Sequence, residues 1–321
     1  MILVISYPGE EHTDDVVHRL EQQGAEVVSL DLGDFPSQIS MELSWSNAAP
    51  SDYRLETVRG TVDLSRVGVG WWRRVRAFAI DPAVVNPQER LFAESETSQA
   101  VNGLLDALPC RWVNPREADT AAHHKPYQWA IAQEVGLRLP RTLVTNRPEA
   151  AREFIHSVGL GKTIFKAFLA SIEAWRETRL VEADDLEKLE LVKYAPVIFQ
   201  EYIEGVDLRI TVIGDRIFAA EIDARKTSYP VDMRMVVGES LVQAVTLPDQ
   251  ICEQLLRFQR KLGLVYGAID MRRTAEGEYL FFEVNPAGQW HFVEQRTGLP
   301  IAQAMADHLL SLDNPLNEMR R

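Results

Sequence analysis

Cysteine is scarce in this chain: 321 residues hold only Cys110 and Cys252. They form no CxxC pair and have no histidine at finger spacing, which argues against a disulfide framework or a zinc site. Basic charge is also in short supply. Lys and Arg number 34 against 47 Asp and Glu, a net charge of -13. That balance argues against non-specific nucleic-acid binding, though it leaves room for a local basic cleft that takes phosphates. No apolar run approaches the ~18 residues of a membrane span. The opening MILVISYPGEE has no basic flank and reads as a first strand, not a signal peptide. A reducing cytoplasm is the expected setting. No GxGxxG follows the first strand, so no dinucleotide site is expected there. Internal repeats and low-complexity tracts are missing as well.

What is present is an ordinary globular composition, 46% hydrophobic and 25% charged, over a length that suits two or three subdomains. MILVISYP, a helix that Thr13 can cap, and AEVVSLDL make a βαβ opening, hence a parallel sheet with crossover helices. Residues 40 to 65 read as two or three antiparallel strands, VGVGWWRRVR as another strand, and QERLFAESETSQAVNGLLDAL as an amphipathic helix. The composition changes near Asp119. Lys125-Pro126 starts a helix that Gly136 ends. LPRTLVTN and KTIFKAF are strands around a helix, and ADDLEKLELVK is an acidic, amphipathic helix. From Val197 the pattern turns β-rich: PVIFQEYIEG, DLRITVIGD and RIFAAEIDA, then YGAIDMRR and YLFFEVN after a helix. The chain is expected to divide into residues 1–118, 119–196 and 197–321.

The chemistry concentrates in FFEVNPAGQW, residues 281–290. Alternation puts Glu283 and Asn285 on one face, and hairpin pairing with AIDMRR brings Asp270 beside them. Two carboxylates and an amide oxygen form a hard, all-oxygen site that suits Mg²⁺. Clustered carboxylates repel one another, so they need a cation. Lys125, Lys162, Lys166, Arg209, Arg225 and Arg272 punctuate strands and helix starts as phosphate-binding point charges. In PVIFQEYIEG, backbone amides beside an apolar wall suit a purine, and Glu201 suits an exocyclic amine or a ribose hydroxyl. The two histidines before the Lys125 helix, His123 and His124, read as structural.

In order, HHKPYQWAIAQEVGLRLPRT, IFKAF, VIFQEYIEG, DLR, AIDMR and FFEVNPAGQW resemble the ATP-grasp superfamily of carboxylate-amine ligases. The combination of IDMR, FFEVNPAGQW and VDLRITVIGDRIFAAEID is similar to the graspetide, or microviridin-type, peptide-macrocyclising subgroup. The resemblance spans roughly residues 115–310 and implies an α/β (α+β) ATP-grasp fold: an N-terminal parallel-sheet domain, a small central domain and a C-terminal mixed-sheet domain. It implies ATP and Mg²⁺ as cofactors. The implied reaction makes an acyl-phosphate on a side-chain carboxylate of a ribosomal precursor peptide, which a Ser/Thr hydroxyl or a Lys amine attacks to close a ring. Recognition of that peptide's leader and a homodimer are implied as well.

By position, Lys125 and Lys166 would contact phosphates, and Gln200, Glu201, Tyr202 and Ile203 the adenine and ribose. Asp270, Glu283 and Asn285 would hold Mg²⁺. Arg209 and Arg272 would sit near the γ-phosphate and the acceptor carboxylate, with Asp207 or His291 as proton acceptor. Arg74 and Arg225 would grip other acidic side chains of the peptide. Asp184 and Asp185, in the acidic ADDLEKLELVK, read either as a solvated face or as a docking surface for a leader that carries Arg or Lys. One departure stands out: KAFLASIEAWRETRLV has no glycine where many ATP-grasp enzymes carry a Gly-rich loop over the phosphates. The competing readings are a ligase for small substrates or protein C-termini, and a nucleotide-binding regulatory module without turnover.

Overall fold

The computed structural model describes residues 1–168, 178–224, 238 and 240–319, with side chains as far as Asp313 in the last helix. The chain divides into two compact units, Met1–Asp119 with Leu264–Tyr266 and Pro300–Arg321, and Thr120–Gly263 with Gly267–Leu299.

The first unit opens β1 (Ile2–Ile5), α1 (Glu11–Gln22), β2 (Val27–Leu30), then a meander of β3 (Ser40–Ser46), β4 (Ala49–Thr57) and β5 (Gly60–Asp63). β6 (Val69–Trp72), α2 (Pro87–Ala107) and β7 (Arg111–Val113) follow, and α3 (Arg116–Ala122) leads out of the unit. The strands β2-β1-β6-β7 form a sheet whose neighbouring pairs are all parallel. Every residue of β1 is buried, as a parallel strand covered on both faces requires. Leu3 and Ile5 pack with Leu55 of the meander and with Val101, Leu104 and Leu105 of α2.

Two helices depart from the expected pattern. Glu10, not Thr13, caps α1: its carboxylate accepts from Thr13 N at 2.9 Å and from Thr13 Oγ1 at 2.7 Å. α2 is amphipathic only in its second half. Val101, Leu104 and Leu105 are its buried residues, while Leu91 and Phe92 lie exposed near its start.

The second unit begins with α4 (Lys125–Glu134), β8 (Thr142–Thr145), α5 (Pro148–Val158), β9 (Thr163–Lys166), β10 (Arg179–Leu180), α6 (Ala183–Glu187) and β11 (Val197–Glu201). The expected long acidic helix is a short α6 followed by a 3-10 segment, Leu189–Tyr194. The sheet order is β10-β9-β11-β8. Pairing of Gln200 with Ile164 and Thr142, and of Ile198 with Lys166, sets one face. Phe165 and Phe199 occupy the other, 5.8 Å apart, in a core with Ile155, Leu189 and Val192.

β12 (Val206–Ile213), β13 (Arg216–Asp223), β14 (Leu241–Ala244), α7 (Asp249–Leu262), β15 (Tyr266–Arg273), β16 (Tyr279–Asn285) and α8 (His291–Thr297) complete the unit; α9 (Ile301–Met319) belongs to the first. The sheet runs β14-β13-β12-β15-β16, with β16 at an edge. Phe258 of α7 packs on Phe281 of β16 at 4.8 Å, so α7 covers the apolar face and leaves the polar face for chemistry. No helix among the described residues is long and apolar enough to cross a membrane.

Candidate active site

The β15–β16 hairpin pairs Asp270 with Glu283 and Ala268 with Asn285. Opposed residues share a face, so Asp270, Glu283 and Asn285 line one side of the sheet. The register then slips, Met271 pairing with Phe281. This bulge holds Glu283 beside Asp270 while sending Phe281 to the apolar side.

The chain turns directly after the strand, where Gly288 N donates to Asn285 O at 3.1 Å. A Cβ at Gly288 would lie 2.4 Å from Ala268 Cβ and 3.1 Å from Arg209 Nη2, so only glycine lets this turn lie so close to β15. The turn delivers the Gln289 carbonyl to Arg209, which donates to it through Nη2 at 3.0 Å and Nε at 3.3 Å. Arg209 Nη1 donates to Asp270 Oδ1 at 2.6 Å. Lys125, at the start of α4, forms an ion pair with Glu283. Asn285 is exposed, and its Oδ1 accepts from Ala287 N at 3.1 Å.

Each carboxylate therefore carries a protein cation. The sequence reading looked to a metal ion for that compensation; the fold provides a first instalment through Lys125 and Arg209. The donor set still fits a hard divalent cation, with three side-chain oxygens on one face and no competing thiolate or imidazole within the set. Among the described residues, no group of three or more His, Cys, Asp or Glu side chains gathers as a metal site. The third oxygen here is an amide.

On the central sheet, Lys166 Nζ donates to Gln200 Oε1 at 3.0 Å, and Gln200 Nε2 donates to Thr142 Oγ1 at 2.7 Å. Gln200 is buried, and its contacts orient the lysine. Lys166 also lies 5.8 Å from the Phe282 ring. In the segment after β11, Tyr202 N donates to Lys162 O at 2.8 Å.

Arg272 is 5% exposed. Its Nε and Nη2 lie 2.8 and 2.7 Å from Asp207 Oδ1, and Nη1 donates to Ile203 O at 2.8 Å. Its guanidinium also lies 5.6 Å from the rings of Tyr202 and Phe282. It thus ties the Tyr202–Ile203 segment to the sheet, with Asp207 as its counter-ion.

Behind the face that carries Lys166 lies an open groove of about 420 Å³, lined by Phe165, Phe199, Val181, Leu191, Arg179 and Asp185 among others. Asp184 is exposed. Asp185 pairs with Arg179 through both oxygens, at 2.5 and 2.7 Å, and accepts from Glu182 N at 2.9 Å. The Arg179 bonds, foremost, hold its carboxyl below the usual range, against a smaller push upward from burial.

Arg74 belongs to the other unit, just after β6, and its Nε is buried without a hydrogen-bond partner among the described residues. Arg225 and most of the glycine-free segment after Lys166 lie outside the described residues. Two contributors escaped the sequence reading. They are the Gln289 carbonyl on Arg209 and the Gln128 side chain, which bonds to Val284 from 156 residues away. Nothing local in the sequence marks either.

Residues 1–120 match the MvdD pre-ATP grasp domain. The macrocyclase MdnC of Microcystis aeruginosa MRC, solved with the precursor peptide MdnA, is 29% identical, with a TM-score of 0.87 over 97% of this chain and 99% of that one. The ATP-grasp ligase PsnB, solved with a minimal precursor, Mg and ADP, is 27% identical, with a TM-score of 0.79 over 97% of each chain. A probable alpha-L-glutamate ligase of Xanthomonas euvesicatoria pv. vesicatoria (strain 85-10) is 28% identical over 208 residues, 61% of this chain and 67% of that protein. A RimK-like ATP-grasp domain matches residues 122–309, more than half of the chain. The chain is thus a member of the RimK-like ATP-grasp family, with the macrocyclase MdnC and the ATP-grasp ligase PsnB among its structural neighbours.

Proposed function

We propose that this chain is an ATP- and Mg²⁺-dependent macrocyclase of a ribosomally made precursor peptide. The observation that carries the reading is the polar face of the β15–β16 hairpin, where Asp270, Glu283 and Asn285 gather with Arg209 and Lys125 beside them. A carboxylate is a poor electrophile because its oxygen leaves badly. Transfer of a γ-phosphoryl group to it, releasing ADP, makes an acyl-phosphate. A Ser/Thr hydroxyl or Lys amine then attacks the carbonyl carbon, the C–O bond to phosphate breaks, phosphate leaves, and the nucleophile loses its proton. Each ring closure removes one water from the peptide.

In this reading Asp270, Glu283 and Asn285 hold Mg²⁺, which neutralises charge on the transferring phosphoryl group. Lys125 and Lys166 bind phosphate oxygens, and Gln200 keeps Lys166 in place. Glu201, Tyr202 and Ile203 frame the adenine and ribose. Arg209 clamps the acceptor carboxylate. Arg272 and Asp207 fix the nucleotide-facing segment against the sheet, which leaves His291 as the better proton acceptor. Arg74 and Arg225 grip further acidic side chains of the peptide, and Asp184 and Asp185 edge the leader's docking groove.

Incubation of the protein with a Ser/Thr- and Glu/Asp-rich precursor peptide, ATP and Mg²⁺, followed by mass spectrometry, tests this. The expected result is loss of one water per ring, with ADP formed. The names of the curated relatives support a second reading, addition of glutamate. Gain of glutamate residues on an acceptor, with no loss of water from the peptide, would select it.

A further inference from the structure

β16 is an edge strand, and an edge leaves peptide groups without a neighbouring strand. At Val284 that neighbour is replaced by a single side chain. Gln128 of α4 accepts from Val284 N through Oε1 at 2.9 Å and donates to Val284 O through Nε2 at 2.9 Å. The same Nε2 donates to Ala122 O, at the end of α3. Gln128 is 2% exposed. Its primary amide thus reproduces the paired N–H and C=O contacts of a strand partner. The next residue reinforces the join, since Trp129 Nε1 donates to Phe282 O at 2.8 Å.

The location of this join is what gives it meaning. Val284 lies between Glu283 and Asn285, and Lys125 lies three residues before Gln128, one turn away on the same helix. Lys125 is the cation on Glu283. We propose that Gln128 is a positioning residue. It locks α4 to β16 so that the Lys125 ammonium and the Glu283 and Asn285 oxygens hold one fixed geometry toward a Mg²⁺-nucleotide. The inference rests on the nucleotide-site reading of that face. A lysine on a loose helix would still reach Glu283, but it would not hold a fixed distance between a phosphate-binding cation and metal-binding oxygens. Small displacements of that kind cost rate and affinity far more than they cost stability.

The test is titration calorimetry of ADP with and without Mg²⁺ on the full chain, beside steady-state kinetics on the peptide. Wild type must first show Mg²⁺-dependent ADP binding; its absence would refute the nucleotide-site reading itself, and the positioning role with it. Given that binding, Gln128→Met keeps the side-chain length but removes all three bonds. The expected result is ADP affinity with Mg²⁺ weakened about 10- to 100-fold, as for other residues that orient metal ligands.

Gln128→Glu adds a signature that general loosening would not produce. Its protonated acid can still accept from Val284 N and donate to one of the two carbonyls that the amide serves, whereas its carboxylate has no donor for either. ADP affinity relative to wild type should therefore recover as pH falls. Should Gln128→Met fail to fold, Trp129→Phe decides: it deletes one donor and keeps an aromatic ring, and a loss of at least about threefold in Mg²⁺-dependent ADP affinity is expected, a fraction of the full effect. Folded variants that bind Mg²⁺-ADP like wild type at every pH would overturn the proposal.

Discussion

Asp270 lies directly opposite Glu283 across the β15–β16 hairpin, and the two carboxylates answer to different cations, Arg209 and Lys125. Removing Glu283 therefore does not simply relieve repulsion. Glu283→Gln removes the carboxylate that pairs with the Lys125 ammonium, whose side chain is 17% exposed. A stability loss of about 1 kcal/mol is expected, near the upper end for a partly exposed pair. Turnover and Mg²⁺-dependent ADP binding should vanish together. Lys125→Met combined with Glu283→Gln should regain most of the lost Tm and none of the turnover. Thermal melts and calorimetry on the four proteins check this.

Asn285→Ala separates function from folding more cleanly. Asn285 is exposed, and its described contact is the local one to Ala287 N. Tm should stay within the scatter of a surface change, about 0.5 kcal/mol in stability. Mg²⁺-dependent ADP affinity should fall at least about tenfold. An unchanged Mg²⁺ dependence would remove Asn285 from the metal site.

Arg272 predicts the opposite balance. Its nitrogens serve Asp207 and the Ile203 carbonyl in a buried setting. Breaking a buried pair by removing one partner costs about 3–5 kcal/mol. Arg272→Met should lower the urea midpoint severely, and Asp207→Asn should do so less. A double-mutant cycle should return a coupling on the order of 1–3 kcal/mol. If Asp207→Asn leaves stability intact and abolishes only ring closure, Asp207 is the base and not the counter-ion.

The hairpin was legible in the sequence because its two strands are neighbours in the chain, so alternation alone fixes which side chains meet. Lys166 was legible for the same reason, from the spacing within KTIFKAF. What escaped depends on distant pairing or on context. Gln128 reads as an ordinary helix residue until Val284 arrives from 156 positions away. The acidic segment looked like one long amphipathic helix, yet it forms α6 and a separate 3-10 turn. There, Asp185 bonds back to Glu182 N and so favours a short, capped turn. Helical periodicity in α2 suggested an amphipathic helix along its length, but its buried residues, Val101, Leu104 and Leu105, all lie in its second half. The ion pairs on Asp270 and Glu283 were also unreadable, since charge pairing across elements leaves no periodic trace.

The same reasoning separates Asp184 from Asp185 as probes of leader docking. Asp185 is bound to Arg179 and to Glu182 N, so Asp185→Lys should lower Tm as well as peptide affinity. Asp184 is exposed. Asp184→Lys should weaken binding of a basic leader by several-fold, with Tm and ADP affinity unchanged. Fluorescence anisotropy of a labelled leader decides. Equal affinity in wild type and Asp184→Lys would move the docking surface elsewhere.

Acid stability should depend on one buried carboxylate in the first unit. Burial by itself would push the Glu10 carboxyl up, but His12, Arg73 and Thr13 together outweigh it and bring it from 4.5 down to about 2. His12 Nδ1 lies 2.6 Å from Glu10 Oε1, Thr13 donates to Oε2, and Arg73 Nε is 3.5 Å away. A carboxyl whose folded value lies below its unfolded value binds fewer protons when folded. Its stabilisation is present above pH 4.5 and is lost progressively as pH falls from there toward 2. At 1.36 kcal/mol per pH unit, the contribution at neutral pH is on the order of 3 kcal/mol. Glu10→Gln should therefore lower stability at pH 7 and flatten its decline between pH 4.5 and pH 2. Urea titrations across that window measure both. A variant with the wild-type slope would show that the acid sensitivity arises from other carboxylates.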